Sequence, residues 1–199
     1  MRTMIELAFA TVVALAVPAQ AQDAGEIGLF ADTAGTDSTI DLAFGQGTQV
    51  YVVALGVSDG VKAYEFSVSG LSAANVGQSS YELAGPATLT FGGDPDASNF
   101  IVGAGGCIAD DAGATVLVTL TLFAYDAVPS DAALCIGPAS PSSFDPPGPG
   151  YANCSDQALV LSPAPNDAGN YPDGCLILNP SQDPVDGASS SFGQVKARF

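Results

Sequence analysis

The sequence predicts an all-β protein, an antiparallel β-sandwich. Three observations carry that expectation. Residues 61–69 (VKAYEFSVS) and 115–125 (TVLVTLTLFAY) alternate apolar and polar side chains with period two, the spacing that turns one face of a strand inward. No window after residue 21 sustains apolar residues at helical spacing. Short β-branched runs are separated by Gly, Pro and Asp turn signals, as in sandwiches.

Taken in order, the first segment reads as targeting. Arg2 supplies a positive start and residues 7–17 (LAFATVVALAV) an apolar stretch. Pro18 ends it, and Ala19-Gln20-Ala21 is a small-x-small cleavage site. That stretch is too short for a bilayer, which needs about 20 apolar residues. The expectation is a signal peptide over 1–21, export, and one domain over 22–199 with no integral membrane segment after cleavage. Residues 49–57 (QVYVVALGV) are nearly continuously apolar, as in a strand buried on both faces. Ser58-Asp59-Gly60 is a turn signal, so this run and 61–69 read as a β-hairpin. In the second run, Tyr64, Phe66 and Val68 fall on one face and Glu65, Ser67 and Ser69 on the other. Residues 72–77 hold one helical turn at most. Shorter strands are expected at 87–91, 99–102, 133–136, 158–161 and 176–178. In 115–125, Val116, Val118, Leu120 and Leu122 share one face, and Thr115, Thr119 and Thr121 the other.

Composition shifts near Pro129. Eleven of the 14 prolines lie between Pro129 and Pro184, with three of the four cysteines. Residues 137–150 (GPASPSSFDPPGPG) read as an extended loop pinned by disulfides rather than as a recognition loop. Cys107, Cys135, Cys154 and Cys175 are an even set in an exported chain and imply two disulfides, with three connectivities open. Their spacings lack the paired knuckles of a zinc site.

Charge excludes several functions. The chain has 199 residues, with 4 Lys+Arg against 21 Asp+Glu, no His, and a net charge of −17. Nucleic acid is not an expected partner, because clustered cations are needed to neutralise phosphates. Histidine-based catalysis is impossible. Lys62, the one basic residue between Thr3 and Val195, reads as solvent-facing, and no Gly-x-Ser-x-Gly or phosphate-loop motif occurs. Chance carboxylate pairs are inevitable in so acidic a chain, so a carboxylate-based hydrolase is the remote alternative.

Calcium is the cofactor with a motive, since Asp in loops supplies hard oxygen ligands. The candidate clusters are Asp32, Asp37 and Asp41; Asp94 and Asp96 with Asn99; and Asp110 with Asp111. A further oxygen-rich loop runs from Asn166 to Asp173. Each Asp equally serves as a turn former. For carbohydrate, Tyr81, Tyr151 and Tyr171 lie in apparent loops and are the candidate stacking surfaces. The end of the chain, residues 191–199 (SFGQVKARF), holds Lys196 and Arg198 with Val195, Ala197 and Phe199 at alternate positions. It reads as an edge strand or tail whose positive charge pairs with the acidic body or a neighbouring subunit.

Two stretches resemble cohesin domains. Gly47-Thr48-Gln49-Val50 opens a hydrophobic strand, followed by an Asp-Gly turn and Ala63-Tyr64-Glu65-Phe66-Ser67-Val68, which resembles the cohesin Gly-Phe-Glu-Phe-Thr-Leu strand. Residues 113–123 (GATVLVTLTLF) resemble a second cohesin strand. The resemblance covers about 47–136 and implies a jelly-roll, cohesin-like sandwich in a bacterial envelope or extracellular setting. Cohesins of this type include some that bind dockerin modules of cellulose-degrading complexes. The Cys/Pro-rich part, 137–199, is a departure, and no binding residue is carried over. The functional expectation is a non-catalytic exported structural or protein-interaction module, with a protein partner or self-association. The alternative is a calcium- or carbohydrate-binding module.

Overall fold

The computed structural model describes residues 25–57, 59–85, 89–91, 93–108, 113–166 and 171–181. The signal-peptide expectation lies outside these residues. The strands are β1 (Glu26–Phe30), β2 (Thr39–Ile40), β3 (Gly47–Leu55), β4 (Val61–Ser69), β5 (Val76–Leu83) and β6 (Leu89–Thr90). After a 3-10 turn at Pro95–Ala97 come β7 (Asn99–Ile108), β8 (Ala114–Ala124), β9 (Ala132–Gly137), β10 (Gly150–Ala152), β11 (Ala158–Val160), β12 (Ser162–Pro163) and β13 (Cys175–Leu178).

They form two sheets. One is five-stranded in the order β12-β1-β3-β8-β5. The other is eight-stranded, running β11-β10-β4-β9-β13-β2, with β7 on the opposite side of β4 and β6 beyond β7. The predicted sandwich is therefore present. Pairing is antiparallel except at two short parallel edges, β1 with β12 and β13 with β2.

The expected hairpin of β3 and β4 does not form. β3 pairs with β1 and β8, whereas β4 pairs with β7, β9 and β10. The turn between them crosses from one sheet to the other. Both strands are apolar on the face toward the core, so they bury more by facing each other than by lying side by side. Gly60 in this turn has φ +64, and a Cβ there would meet the Ile108 carbonyl oxygen at 2.6 Å and Cys107 Sγ at 2.8 Å. Only glycine fits that crossing.

The core lies between the sheets. From the five-stranded sheet come Val50, Val52, Leu120 and Leu122; from the other come Tyr64, Phe66, Phe100 and Leu176. Two contacts bridge the layers. Tyr64 Oη donates to the Leu117 carbonyl at 2.8 Å. Tyr81 of β5 meets Phe100 of β7 edge-on at 5.8 Å, and Phe100 stacks on Phe66 at 4.9 Å. Such aromatic pairs add about 0.5–1.5 kcal/mol each beyond their buried area.

Strand β8 departs from simple alternation. The register steps from Val52↔Val118 to Val53↔Val116, leaving Leu117 as the extra residue of a bulge. Leu117, Val118, Leu120 and Leu122 all face the main core, while Val116 lies on the opposite face with Phe30, Val53 and Ala164. Thr115 is likewise buried rather than solvent-facing. The expected common face of Val116 with Val118 thus fails at the bulge. The burial of β3 on both faces holds, because Val53 serves this second cluster and Val52 the first.

The cysteines pair as Cys107–Cys154 and Cys135–Cys175. Cys135 sits opposite Cys175 in the register of β9 and β13, and the adjacent Ile136 amide donates to Gly174. Cys135 and Cys175 therefore occupy a non-hydrogen-bonded pair, where Cα atoms come closest. Their Cα atoms are 4.1 Å apart.

Two outcomes test this packing. Tyr64→Phe removes the inter-sheet hydrogen bond and is expected to lower stability by about 1 kcal/mol, read from a urea midpoint at unchanged slope. Burial pushes the Tyr64 phenol above its ordinary value of 10.0. The folded state thus disfavours the phenolate, so stability is intact below pH 10 and falls as pH rises beyond it; Tyr64→Phe should flatten that alkaline loss. Replacing Cys135 and Cys175 together by Ala is expected to cost about 2–4 kcal/mol in the same denaturation assay.

Candidate functional site

The outer face of the eight-stranded sheet carries the most structured surface among the described residues. Outward-pointing side chains of β4 and β7 there bond to another segment of the chain. They hold the Pro-rich loop. Ser67 Oγ donates to the Pro138 carbonyl at 2.8 Å. Asn99 grips Ser140 twice: its Nδ2 donates to the carbonyl at 2.7 Å, and its Oδ1 accepts from the amide at 2.9 Å. Glu65 Oε1 accepts from Ser142 Oγ and from the Ser143 amide, both at 2.8 Å.

Glu65, expected on the solvent face, is only 4% exposed. A buried carboxylate is costly unless hydrogen-bonded, and the loop supplies both bonds. The loop is therefore a strap fastened side chain by side chain across β4 and β7. Disulfides alone, the sequence expectation, do not account for its position.

The strap ends in Phe144, whose ring stands over Gly150; a Cβ at Gly150 would meet it at 2.5 Å. On the other side, Phe91 stands over Gly103, where a Cβ would meet its ring at 2.7 Å. Between the two rings is an apolar groove of about 240 Å³, with Ile101, Ala63, Ala152 and Ala158 also lining it. Phe91 is 59% exposed and its neighbour Leu89 is 64% exposed. Small residues form the floor because the rings lie where larger side chains would project. Lys62, which precedes Ala63, forms an ion pair with Asp156, two residues before Ala158.

Asp32, Asp37 and Asp41 do not come together as a three-carboxylate group, although Asp37 and Asp41 line one shallow pocket. No group of three or more acidic side chains comes together among the described residues in a metal-holding arrangement. Asp32 spends its oxygens on its own turn, accepting from the Thr36 amide at 2.9 Å, from Thr36 Oγ1 and from the Asp37 amide at 3.3 Å. Partial burial pushes its carboxyl up, but these hydrogen bonds outweigh that and lower it overall. Asp37 Oδ1 accepts from the Thr39 amide and hydroxyl, both at 3.0 Å, and Asp41 is exposed beside them. Asp94 caps the 3-10 turn, accepting from the Ala97 amide, and Asp96 is exposed in that turn. Asn99 belongs to the strap. Asp110 and Asp111 lie outside the described residues. In the fourth loop, Asn166 Oδ1 accepts from Ser38 Oγ at 2.9 Å and its Nδ2 donates to the Cys175 carbonyl at 2.8 Å.

The candidate sugar-stacking tyrosines are also placed otherwise. Tyr151 is buried in β10, and Tyr81 packs on Phe100. Tyr171 is partly buried and donates to Asp131, whose carboxyl that bond lowers, with the Ser181 amide adding to it. The residues the sequence reading missed are Glu65, Phe91 and Phe144. Their available signal was slight: a Glu within an otherwise apolar strand, and single Phe residues in Gly/Pro-rich loops.

The strap makes a testable unit. Glu65→Ala is expected to speed hydrogen exchange of the Ser143 amide by roughly 10-fold or more, since bonds to a charged acceptor contribute about 1.5–3 kcal/mol. Glu65→Gln, which keeps an acceptor oxygen, should change it far less.

No family model matches the chain, and no curated protein matches it. Among solved structures, it is similar to the sixth cohesin of scaffoldin B from Acetivibrio cellulolyticus, determined in complex with a Cel5 dockerin. Identity is 14%, the TM-score is 0.50, and the match covers 78% of this chain and 97% of that one. A cohesin module from a Clostridium perfringens family 33 glycoside hydrolase aligns at 10% identity and TM-score 0.46, over 80% of this chain and 99% of that one. Two packed sheets with the groove on the outer face of the larger one thus make up a cohesin-like β-sandwich.

Proposed function

We propose that this protein is a non-catalytic, exported protein-interaction module that docks a partner through the groove between Phe91 and Phe144. The observation that carries this reading is the groove itself: an apolar surface held open on a rigid sheet by a latched strap. Exposed aromatic side chains around a fixed cavity are what an interface uses as anchors. The cohesin-like fold supports the same reading, since the Acetivibrio module was determined with a dockerin bound.

Export is supported by the targeting pattern of residues 1–21 and by two disulfides, which persist in oxidising compartments. No helix among the described residues is long and apolar enough to cross a membrane. The non-catalytic reading is supported by composition. The chain holds no His, and Lys62, the one cation among the described residues, is exposed and paired with Asp156.

The strap narrows what can dock. It covers the surface around Glu65, Ser67 and Asn99, so a partner there meets the strap and the adjoining cleft. A projecting apolar side chain fits that cleft better than a flat surface.

The test compares two full-length variants as bait against the secreted proteins of the producing culture. Phe91→Ser with Ile101→Asp alters the groove; Phe123→Ser alters an exposed residue of β8 on the other sheet. Quantitative mass spectrometry should show at least a ~10-fold loss of a captured protein with the first variant and none with the second, as for removal of interface anchors. Equal capture by both variants would sink the reading.

A further inference from the structure

The groove has a definite chemical demand. Its walls are apolar, and its volume of about 240 Å³ equals the share of roughly eight waters in the liquid. One exposed acid stands next to it in the chain, Asp145, which follows Phe144; Asp156, two residues before Ala158, is already paired with Lys62. The match to such a site is an apolar side chain carried on a basic segment.

The chain contains one such segment. Of its 4 Lys+Arg residues, Arg2 is in the targeting stretch and Lys62 is already paired, so Lys196 and Arg198 are the remaining two. They alternate with Val195, Ala197 and Phe199. An extended backbone there would direct the apolar side chains to one side and the two cations to the other. Residues 182–199 lie outside the described residues.

We propose that the groove is the docking site of the chain's own C-terminal segment, Val195-Lys196-Ala197-Arg198-Phe199, with Phe199 as the apolar anchor and the two cations toward the acidic surface that includes Asp145. Reach permits it. The chain beyond Ser181, 18 residues, spans up to about 59 Å at ~3.3 Å per residue. A domain of this size is roughly 40 Å across. Charge favours it, because the two cationic side chains, Lys196 and Arg198, meet a body that is strongly acidic and has one cation of its own. Tethering favours the chain's own groove over a neighbour's, since a short linker gives an effective concentration in the millimolar range. The consequence is a self-occupied site that an external partner must enter by displacing the tail. The inference stands on the groove's geometry and not on the existence of that partner.

The experiment uses the full chain, the full-length triple variant K196E/R198E/F199A, and a fluorescently labelled synthetic nonapeptide of residues 191–199. In anisotropy titrations the peptide is expected to bind the triple variant at least ~10-fold more tightly than the unmodified chain, whose own tail competes. In NMR spectra of the triple variant, the Ile101 methyl and Phe91 ring signals should shift, and the peptide should return them toward their original positions. Adding Ile101→Asp to the triple variant should abolish peptide binding. Equal peptide binding by both chains, no binding by the variant, or binding that survives Ile101→Asp would each overturn the inference. So would NMR shifts that scale with protein concentration alongside dimers in light scattering, because the occupant would then be the tail of a second copy. Equal binding would leave the partner reading intact, since it shows an open groove.

Discussion

Strand β4 must satisfy two faces at once, and most of the structure follows from how it does so. Its inward face carries Tyr64, Phe66 and Val68 into the core, where Tyr64 and Phe100 tie the two sheets together. Its outward face carries Glu65 and Ser67, which in a simple sandwich would meet water. Here they meet the backbone and hydroxyls of the 138–144 segment instead. A carboxylate removed from water without partners would destabilise the strand by several kcal/mol. The loop must therefore stay where it is, and that requirement fixes Phe144 as one wall of the groove.

The same strand separates what was legible in the sequence from what was not. The bounds of β4, Val61–Ser69, follow directly from period-two alternation. β8 is legible for the same reason, since eleven residues of β-branched and apolar alternation have no other comfortable conformation. The pairing of β3 was not legible. A turn signal between two strands says that the chain reverses, not whether it reverses within a sheet or across the core. The bulge at Leu117 was hidden too, because one inserted residue changes inward phase without changing composition. Strands β1, β2, β5, β10 and β12 escaped notice, β5 because VGQSSYEL is largely polar at an edge, the others because two to five residues carry too little period.

The site was less legible than the fold. Acidic loop residues suggested ligands, yet Asp32, Asp37 and Asp94 each bond backbone within a few residues. Local turn formation uses the same residue types as ion binding, and spacing alone does not separate them. The groove arises from contacts 41 to 78 residues apart, such as Asn99 with Ser140 and Glu65 with Ser143. Long-range pairings of that kind leave no mark in a local pattern. The tyrosines misled for a related reason. Tyr151 sits amid Gly and Pro, but β10 inserts it next to β4 and buries it.

The two disulfides interlace: Cys135 lies within the loop closed by Cys107–Cys154, and Cys154 lies within the loop closed by Cys135–Cys175. One backbone cut anywhere between Cys107 and Cys175 therefore leaves a single covalent molecule. A nick in the exposed strap separates no fragment, because each side of the cut still holds a sulfur bonded to the other. The groove's proline-rich wall is thus one part of the surface where a protease can cleave a peptide bond without dividing the protein.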